Sequence, residues 1–229
     1  MSVFFRRRGK APLILDAIFS NNSWKTIIAA CQSGSVPDSW AVGDSKMMTI
    51  NGTDYQIDII GKNHDTYTAG GTAPLTLQMH DCYGTTYAMN SSNTNVGGWT
   101  SCDMRSTHLP SILALMPTEV QNGIREVNKL TSAGSQSATI NTTADKLFLL
   151  SEVEIFGSTT YSKSGEGSQY AYYNAGNSGA KEVNGSSSFW WERSPNGSNS
   201  AGFCHVGSLG GTSYGNASRS YGVAFGFCF

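Results

Sequence analysis

The sequence predicts an α+β fold: an antiparallel sheet with two helices packed on it and long surface loops. Composition is the first reason. Apolar residues fill 39% of the 229 positions and charged residues 14%, while 26 glycines and much Ser, Thr and Asn take up the rest. That mixture suits short strands and irregular loops, not helical bundles. The second reason is order, because periodic stretches run helix, hairpin, strand, helix, strands, long loops and terminal strand, with no βαβ alternation. The third is size, since 24.5 kDa accommodates one domain with a sizeable core.

Along the chain, Asn22-Ser23 ahead of Trp24, Ile27, Ile28 and Cys31 reads as a capped amphipathic helix that Gly34 ends. Lys46 to Ile60 reads as a hairpin. Met48 and Ile50 alternate on one arm and Tyr55, Ile57 and Ile59 on the other, with Asn51-Gly52 as the turn. Leu75–Met79 is a third strand of period two, and Asp81 to Thr107 reads as loop. A second helical stretch begins at Ser111, is punctuated by Pro117, and continues through Val120, Ile124 and Val127 at helical spacing. Lys146 to Phe156 is expected to form one or two buried strands. Residues 158–188 form a Gly/Ser/Tyr-rich connection, and residues 222–229 alternate apolar with small residues as a closing strand.

Several function classes are disfavoured at this level. A net charge of -1, without interleaved aromatic and basic residues, gives no drive toward nucleic acid. No stretch approaches the roughly 20 apolar residues of a membrane span. Residues 1–35 are read as an N-terminal tether plus the first helix. Arg6-Arg7-Arg8 with Ala11 to Leu15 imitates the start of a signal peptide, but Asp16 interrupts the apolar run and no small-x-small cleavage site follows. Five cysteines at 31, 82, 102, 204 and 228 match neither a disulfide framework nor zinc spacing. They read as buried free thiols, with Cys204–Cys228 and Cys82–Cys102 as the pairs an oxidising compartment would bridge. Seven Asn-x-Ser/Thr sequons fit an Asn/Ser-rich chain.

Residues 189–229 stand apart. An apolar frame of Phe189, Trp190, Trp191, Phe203, Val206, Val223, Phe225, Phe227 and Phe229 encloses a filling of Asn, Ser, Gly, Thr, Tyr, His and Arg. Tyr supplies rigid contact area and Ser, Gly and Asn supply adaptable hydrogen bonding, the mixture of antibody paratopes. From Pro195 to Phe229 there is no Lys, Glu, Gln, Met or Trp, although residues 1–194 hold 33 of them, a rate that would place about six in the last 35 positions. Those five types are the ones an AAC or AAT codon cannot reach when its first two bases are randomised.

A set of short motifs carries a resemblance. Trp40-x-x-Gly-Asp44, His64-Asp65, Gln78-x-x-Asp-Cys82, Gly97-Gly-Trp99, Met104-Arg105, Leu109-Pro110, Lys146-Leu-Phe-Leu-Leu-Ser-Glu152, Trp191-x-Arg-Ser-Pro195 and Gly222-Val-Ala-Phe-Gly-Phe-Cys228 together resemble a domain family of unknown function from gut bacteria and their phages. Its members look like variable proteins of diversity-generating retroelements, with a C-type lectin-like fold related to formylglycine-generating enzymes. The resemblance spans residues 36–229, which it implies are one ligand-binding domain with a variable region at 189–229. It further implies a cassette rewritten at adenines by error-prone reverse transcription and displayed on a rigid scaffold.

Position by position, the resemblance makes Asn196, Gly197, Ser198, Asn199, Ser200, Ala201, His205, Gly207, Ser208, Thr212, Ser213, Tyr214, Asn216, Ser218, Arg219, Ser220 and Tyr221 the ligand-facing candidates. Phe203, Cys204, Val206, Val223, Phe225 and Phe227 become fixed core, and Trp190, Trp191 and Arg193 scaffold. Tyr214, Arg219 and Tyr221 are the expected anchors, since Tyr and Arg dominate binding hot spots. A phage member would act in host attachment at the tail tip, binding a host-surface protein or glycan and joining other virion tail proteins through its N-terminus. The virion would assemble in the host cytoplasm. An adhesin on a bacterial cell surface, a formylglycine-generating-type enzyme and a purely structural virion protein are the alternatives. Homo-oligomerisation stays open, because fibre tips are often trimeric while no heptad repeat marks this chain.

No cofactor or metal is expected. The Glu-Pro-Asn or Gln-Pro-Asp calcium motif of sugar-binding C-type lectins is missing, and Ser194-Pro195-Asn196 offers no carboxylate to a hard cation. Nor is an enzyme expected. The residues of His64-Asp65 and of His80-Asp81 point to opposite faces if they lie on strands, and Cys204 with Cys228 has no adjacent base.

Overall fold

The computed structural model describes residues 13–229, a mixed α/β fold of small antiparallel sheets and short helices. The basic leader at Arg6–Arg8 lies outside the described residues. A 3-10 turn at Phe19–Asn21 leads into α1 (Trp24–Ser33), whose first turn is capped by Ser23 Oγ accepting from Thr26 N–H and whose end is the left-handed Gly34. This helix is not part of a separate tether. Trp24 meets Phe229 edge-on at 6.0 Å, and Phe19 meets Trp40 at 5.3 Å, so the segment shares one core with the rest of the chain.

The expected hairpin forms as β1 (Ser45–Ile50) and β2 (Thr53–Lys62), joined by Asn51 and Gly52 at φ 49° and 80°. Positive φ at both positions is the two-residue turn that matches strand twist. Then β3 (Leu75–Met79) pairs with β2, and the last strand, β11 (Gly226–Cys228), pairs with β3, giving the order β1-β2-β3-β11. Only three residues of the expected closing strand are in the ladder.

Between β3 and residue 127 the chain is more helical than its sequence suggests. The expected loop at 81–107 contains α2 (Gly98–Ser101) and most of a π-helical turn, Met104–His108, which runs on into α3 (Leu109–Leu113). Next, α4 (Thr118–Gly123) stops short of the expected helix. Ile124 is extended, and Val127 opens β4 (Val127–Ser132), which pairs with β5 (Ile140–Asp145). The spacing of Val120, Ile124 and Val127 fits a helix, but Arg125 N–H bonds to Cys228 carbonyl and Tyr67 bridges to Val127, so pairing with distant segments of the chain takes over. Gly123 sits where an added Cβ would lie 2.6 Å from Ile28, which lets α4 approach α1.

The strands expected within 146–156 are absent. The chain bends at Lys146–Leu147, makes one bridge, Phe148 to Gly226, and enters α5 (Glu152–Phe156). The reason is a capping box missed in the sequence: Ser151 Oγ accepts from Glu154 N–H while the Glu154 carboxylate accepts from Ser151 N–H. The expected irregular connection holds α6 (Ala171–Asn174) and a hairpin of β6 (Lys181–Val183) and β7 (Ser186–Ser188). A three-stranded sheet of β8 (Trp190–Pro195), β9 (Gly202–Val206) and β10 (Thr212–Asn216) completes the fold, in the order β10-β9-β8. All five cysteines are free and buried.

Candidate functional site: the carboxy-terminal sheet and its loops

The cassette is built on β8, β9 and β10, with β8 as the buried wall. Trp190, Trp191 and Arg193 are fully buried, as are Phe203, Cys204, Val206, Val223, Phe225 and Phe227. Phe189 departs from the apolar frame, being 42% exposed beside Tyr221 at 5.3 Å.

Under the sheet lies an ionic network. The Arg193 guanidinium donates to both Glu154 oxygens and to the carbonyls of Leu130, Leu149 and Glu166. Lys129 Nζ lies 2.7 Å from Glu154, 2.8 Å from Asp65 and 2.9 Å from Tyr170 Oη. Burial alone would raise both carboxyls, but Lys129 with the bonds from Thr76 and Tyr170 holds Asp65 down to about 2, and Arg193 with Lys129 keeps Glu154 below its ordinary value. Every donor of Lys129 is engaged, so the network ties β4, α5 and β8 together as a rigid floor.

The loops above that floor are held by their backbones. Asn95 Nδ2 donates to the carbonyls of Asn196, Asn199 and Gly202, and Asn95 N–H donates to Ser200 carbonyl. Gly197 N–H donates to Tyr161 carbonyl. In the β9–β10 turn Gly207 N–H bonds to Gly211 carbonyl, and after β10 the Ser218 backbone and hydroxyl both donate to Asn93 Oδ1. Tyr221 forms a backbone bridge with Tyr87. Asn93, Asn95, Tyr87 and Tyr161 all lie outside the cassette, so its path is set by scaffold residues that do not depend on the cassette's side chains.

Side-chain placement divides the seventeen candidates. Ser198, Asn199, Ser200, Tyr214, Asn216, Ser218, Arg219 and Ser220 are exposed, and Gly197, Ala201, Gly207, Ser208, Thr212, Ser213 and Tyr221 are half-buried. Two do not face solvent. Asn196 is 1% exposed because its Oδ1 turns back to cap Ser198, and His205 is 3% exposed because Phe189, Trp191 and Tyr221 close around its ring at 5.1, 5.9 and 4.8 Å. Burial also pushes the His205 imidazole below its ordinary pKa.

The three expected anchors differ in their surroundings. Tyr214 is 47% exposed and leans on Tyr161 at 5.0 Å, and Arg219 is exposed. Tyr221 is part of the wall, with its ring 4.6 Å from Trp191. Thr212 is tethered, since its hydroxyl donates to Glu152 Oε1. Sequence reasoning missed Leu209, 93% exposed at the tip of the β9–β10 turn. It lines a cavity of about 330 Å³ with Phe156, Gln169 and Tyr173.

Two further features were not legible in sequence. His80, just past the end of β3, places its Nδ1 2.6 Å from Asp58 on β2, so the histidine pairs with neither Asp81 nor a hydroxyl or thiol among the described residues. Glu192 is fully buried with no hydrogen-bond partner on either oxygen among the described residues, and Asn196 Nδ2 is likewise unpartnered. Burial, then repulsion from Glu152 and Glu166, raises the Glu192 pKa well above the ordinary 4.5. No group of three or more His, Cys, Asp or Glu among the described residues is arranged to hold a metal ion.

Residues 75–228 match the family profile described as a domain of unknown function, DUF6273. No curated protein and no solved structure matches the chain.

Proposed function

The chain belongs to the DUF6273 domain family, and on that premise we propose that it is a binding protein that displays a diversified carboxy-terminal surface on a C-type lectin-like scaffold. Its place is the tail tip of a phage, where it attaches the virion to a host-surface protein or glycan. The observation that carries this reading is the division of labour within the cassette. Fifteen of the seventeen candidate positions are fully or partly open to solvent, while the loops that hold them are fixed by Asn93, Asn95, Tyr87 and Tyr161. Substitution at the exposed positions therefore changes the surface and leaves the fold's supports in place. The absence of Lys, Glu, Gln, Met and Trp from residues 195–229 agrees with rewriting of Asn codons at their adenines.

The genetic test is direct. The encoding DNA should lie near an imperfect repeat of the cassette beside a reverse transcriptase gene, with mismatches at template adenines. Mismatches spread over all four bases would remove the retroelement from the reading. For binding, Tyr214→Ala with Arg219→Ala should abolish attachment to host cells and leave thermal stability within about 0.5 kcal/mol, the range of ordinary surface substitutions. Attachment undiminished in that variant would place recognition elsewhere.

A further inference from the structure

A second binding surface lies away from the cassette. Two adjoining cavities, of about 270 and 370 Å³, share Lys146 as a common wall, and no residue of 189–229 lines either one. The smaller has an apolar side made by Leu109, Leu113 and Leu147, with Arg105 at its rim. Each nitrogen of Arg105 donates one bond, to Asp145 Oδ1 and to the carbonyls of Thr100 and Ala144, so it is anchored in the wall with its charge paired to Asp145.

The larger cavity is different. Arg125 lies over the Tyr67 ring with its guanidinium carbon 3.9 Å from the centroid, and its backbone is pinned by Cys228 carbonyl. Neither Arg125 nor Lys146 forms an ion pair among the described residues, and Glu126 on the same rim pairs with neither. The groove therefore presents a guanidinium held in place by its aromatic neighbour, an exposed ammonium, and an apolar trough beside the ammonium. A planar guanidinium without a carboxylate is a ready fork for one, and a half-buried site strengthens the attraction relative to open water.

We propose that this groove binds an acidic peptide segment of a partner protein, with apolar side chains in the Leu109–Leu113–Leu147 trough and carboxylates on Lys146 and Arg125. Charge complementarity selects the anionic partner, and the trough requires apolar groups next to the charges. The surface is independent of the cassette, so the same chain can hold a partner while its variable face stays free.

The test is fluorescence anisotropy on the full chain with a labelled peptide of alternating leucine and glutamate. Lys146→Glu and Arg125→Glu should each weaken binding by about tenfold or more, and binding should fall as salt is raised. Tyr214→Ala with Arg219→Ala should leave it unchanged, which separates this groove from the proposed receptor face. Because Arg125 packs on Tyr67, Lys146→Glu is the decisive variant, as it replaces an exposed side chain. Failure of the peptide to bind the unaltered protein, equal binding by Lys146→Glu, or binding to phosphatidylglycerol vesicles in place of the peptide would each overturn the proposal.

Discussion

Replacing Glu192 with leucine should make this protein more stable, and the gain should grow with pH. Glu192 is fully buried, both of its oxygens lack donors among the described residues, and its neighbours include Glu152 and Glu166. Arg193 is the nearest favourable charge, but both Glu154 oxygens already engage it. The folded protein therefore keeps this carboxyl protonated well above 4.5, while the unfolded chain releases the proton there.

The sign follows from linkage. For an acid whose folded pKa is raised, the favourable contribution is complete below the unfolded pKa and is lost as pH rises toward the folded one. Each pH unit between the unfolded and the folded pKa is worth about 1.4 kcal/mol, so the penalty of keeping this carboxyl protonated grows as pH rises above 4.5. The unpaired neutral carboxyl adds about 1–3 kcal/mol at any pH. Glu192→Leu should thus raise the unfolding free energy by about 1–3 kcal/mol at pH 4.5, where the unpaired neutral carboxyl is nearly the whole effect, and by more at pH 7.5. Urea denaturation of both proteins from pH 4.5 to 8 measures this. A gain that is independent of pH, or a loss at pH 7.5, would mean that Glu192 is ionised and satisfied, and would refute the reasoning.

Three other outcomes are expected. Arg193→Ala leaves Lys129 as the only cation on Glu154 and strips donors from the carbonyls of Leu130, Leu149 and Glu166, so urea unfolding should show a loss of about 3–5 kcal/mol. Asn95→Ala removes the amide that holds three carbonyls of the 196–202 loop; amide exchange should accelerate there first, and stability should fall by about 1–3 kcal/mol. Burial pushes the thiols of Cys31, Cys82 and Cys102 up to about 12 and those of Cys204 and Cys228 well above 9. Ellman's reagent at pH 8 should therefore label none of the five in the native protein and all of them in urea, and rapid labelling of native protein would contradict their burial.

Local signals were the legible ones. Ser23 and Gly34 bound α1, Asn51-Gly52 turns the first hairpin, and alternation gives β3, because each is decided by neighbours a few residues apart. Val127 failed this kind of reading: its spacing from Val120 and Ile124 belongs to a helix, yet it pairs with Asp145 in β4–β5. The stretch after Lys146 failed for the opposite reason. Its apolar run resembles strand, but the Ser151–Glu154 capping box turns Glu152–Phe156 into helix.

The cassette shows the same boundary. Its composition and its missing residue types were readable in the sequence, and so was the burial of Phe203, Cys204, Val206, Phe225 and Phe227, because apolar residues between small polar ones leave the core few other candidates. Sequence alone placed His205 and Asn196 among the outward positions. Only the tertiary structure turned them inward, since the rings of Phe189, Trp191 and Tyr221 reach His205 from other segments and the Asn196 side chain folds onto its own loop. The sequence determined which residue types make up this surface. Contacts between residues up to more than a hundred positions apart, such as Asn95 with Asn199 and Gly202, decided where each one points, because the energy of burying a polar group depends on the partners that folding brings to it.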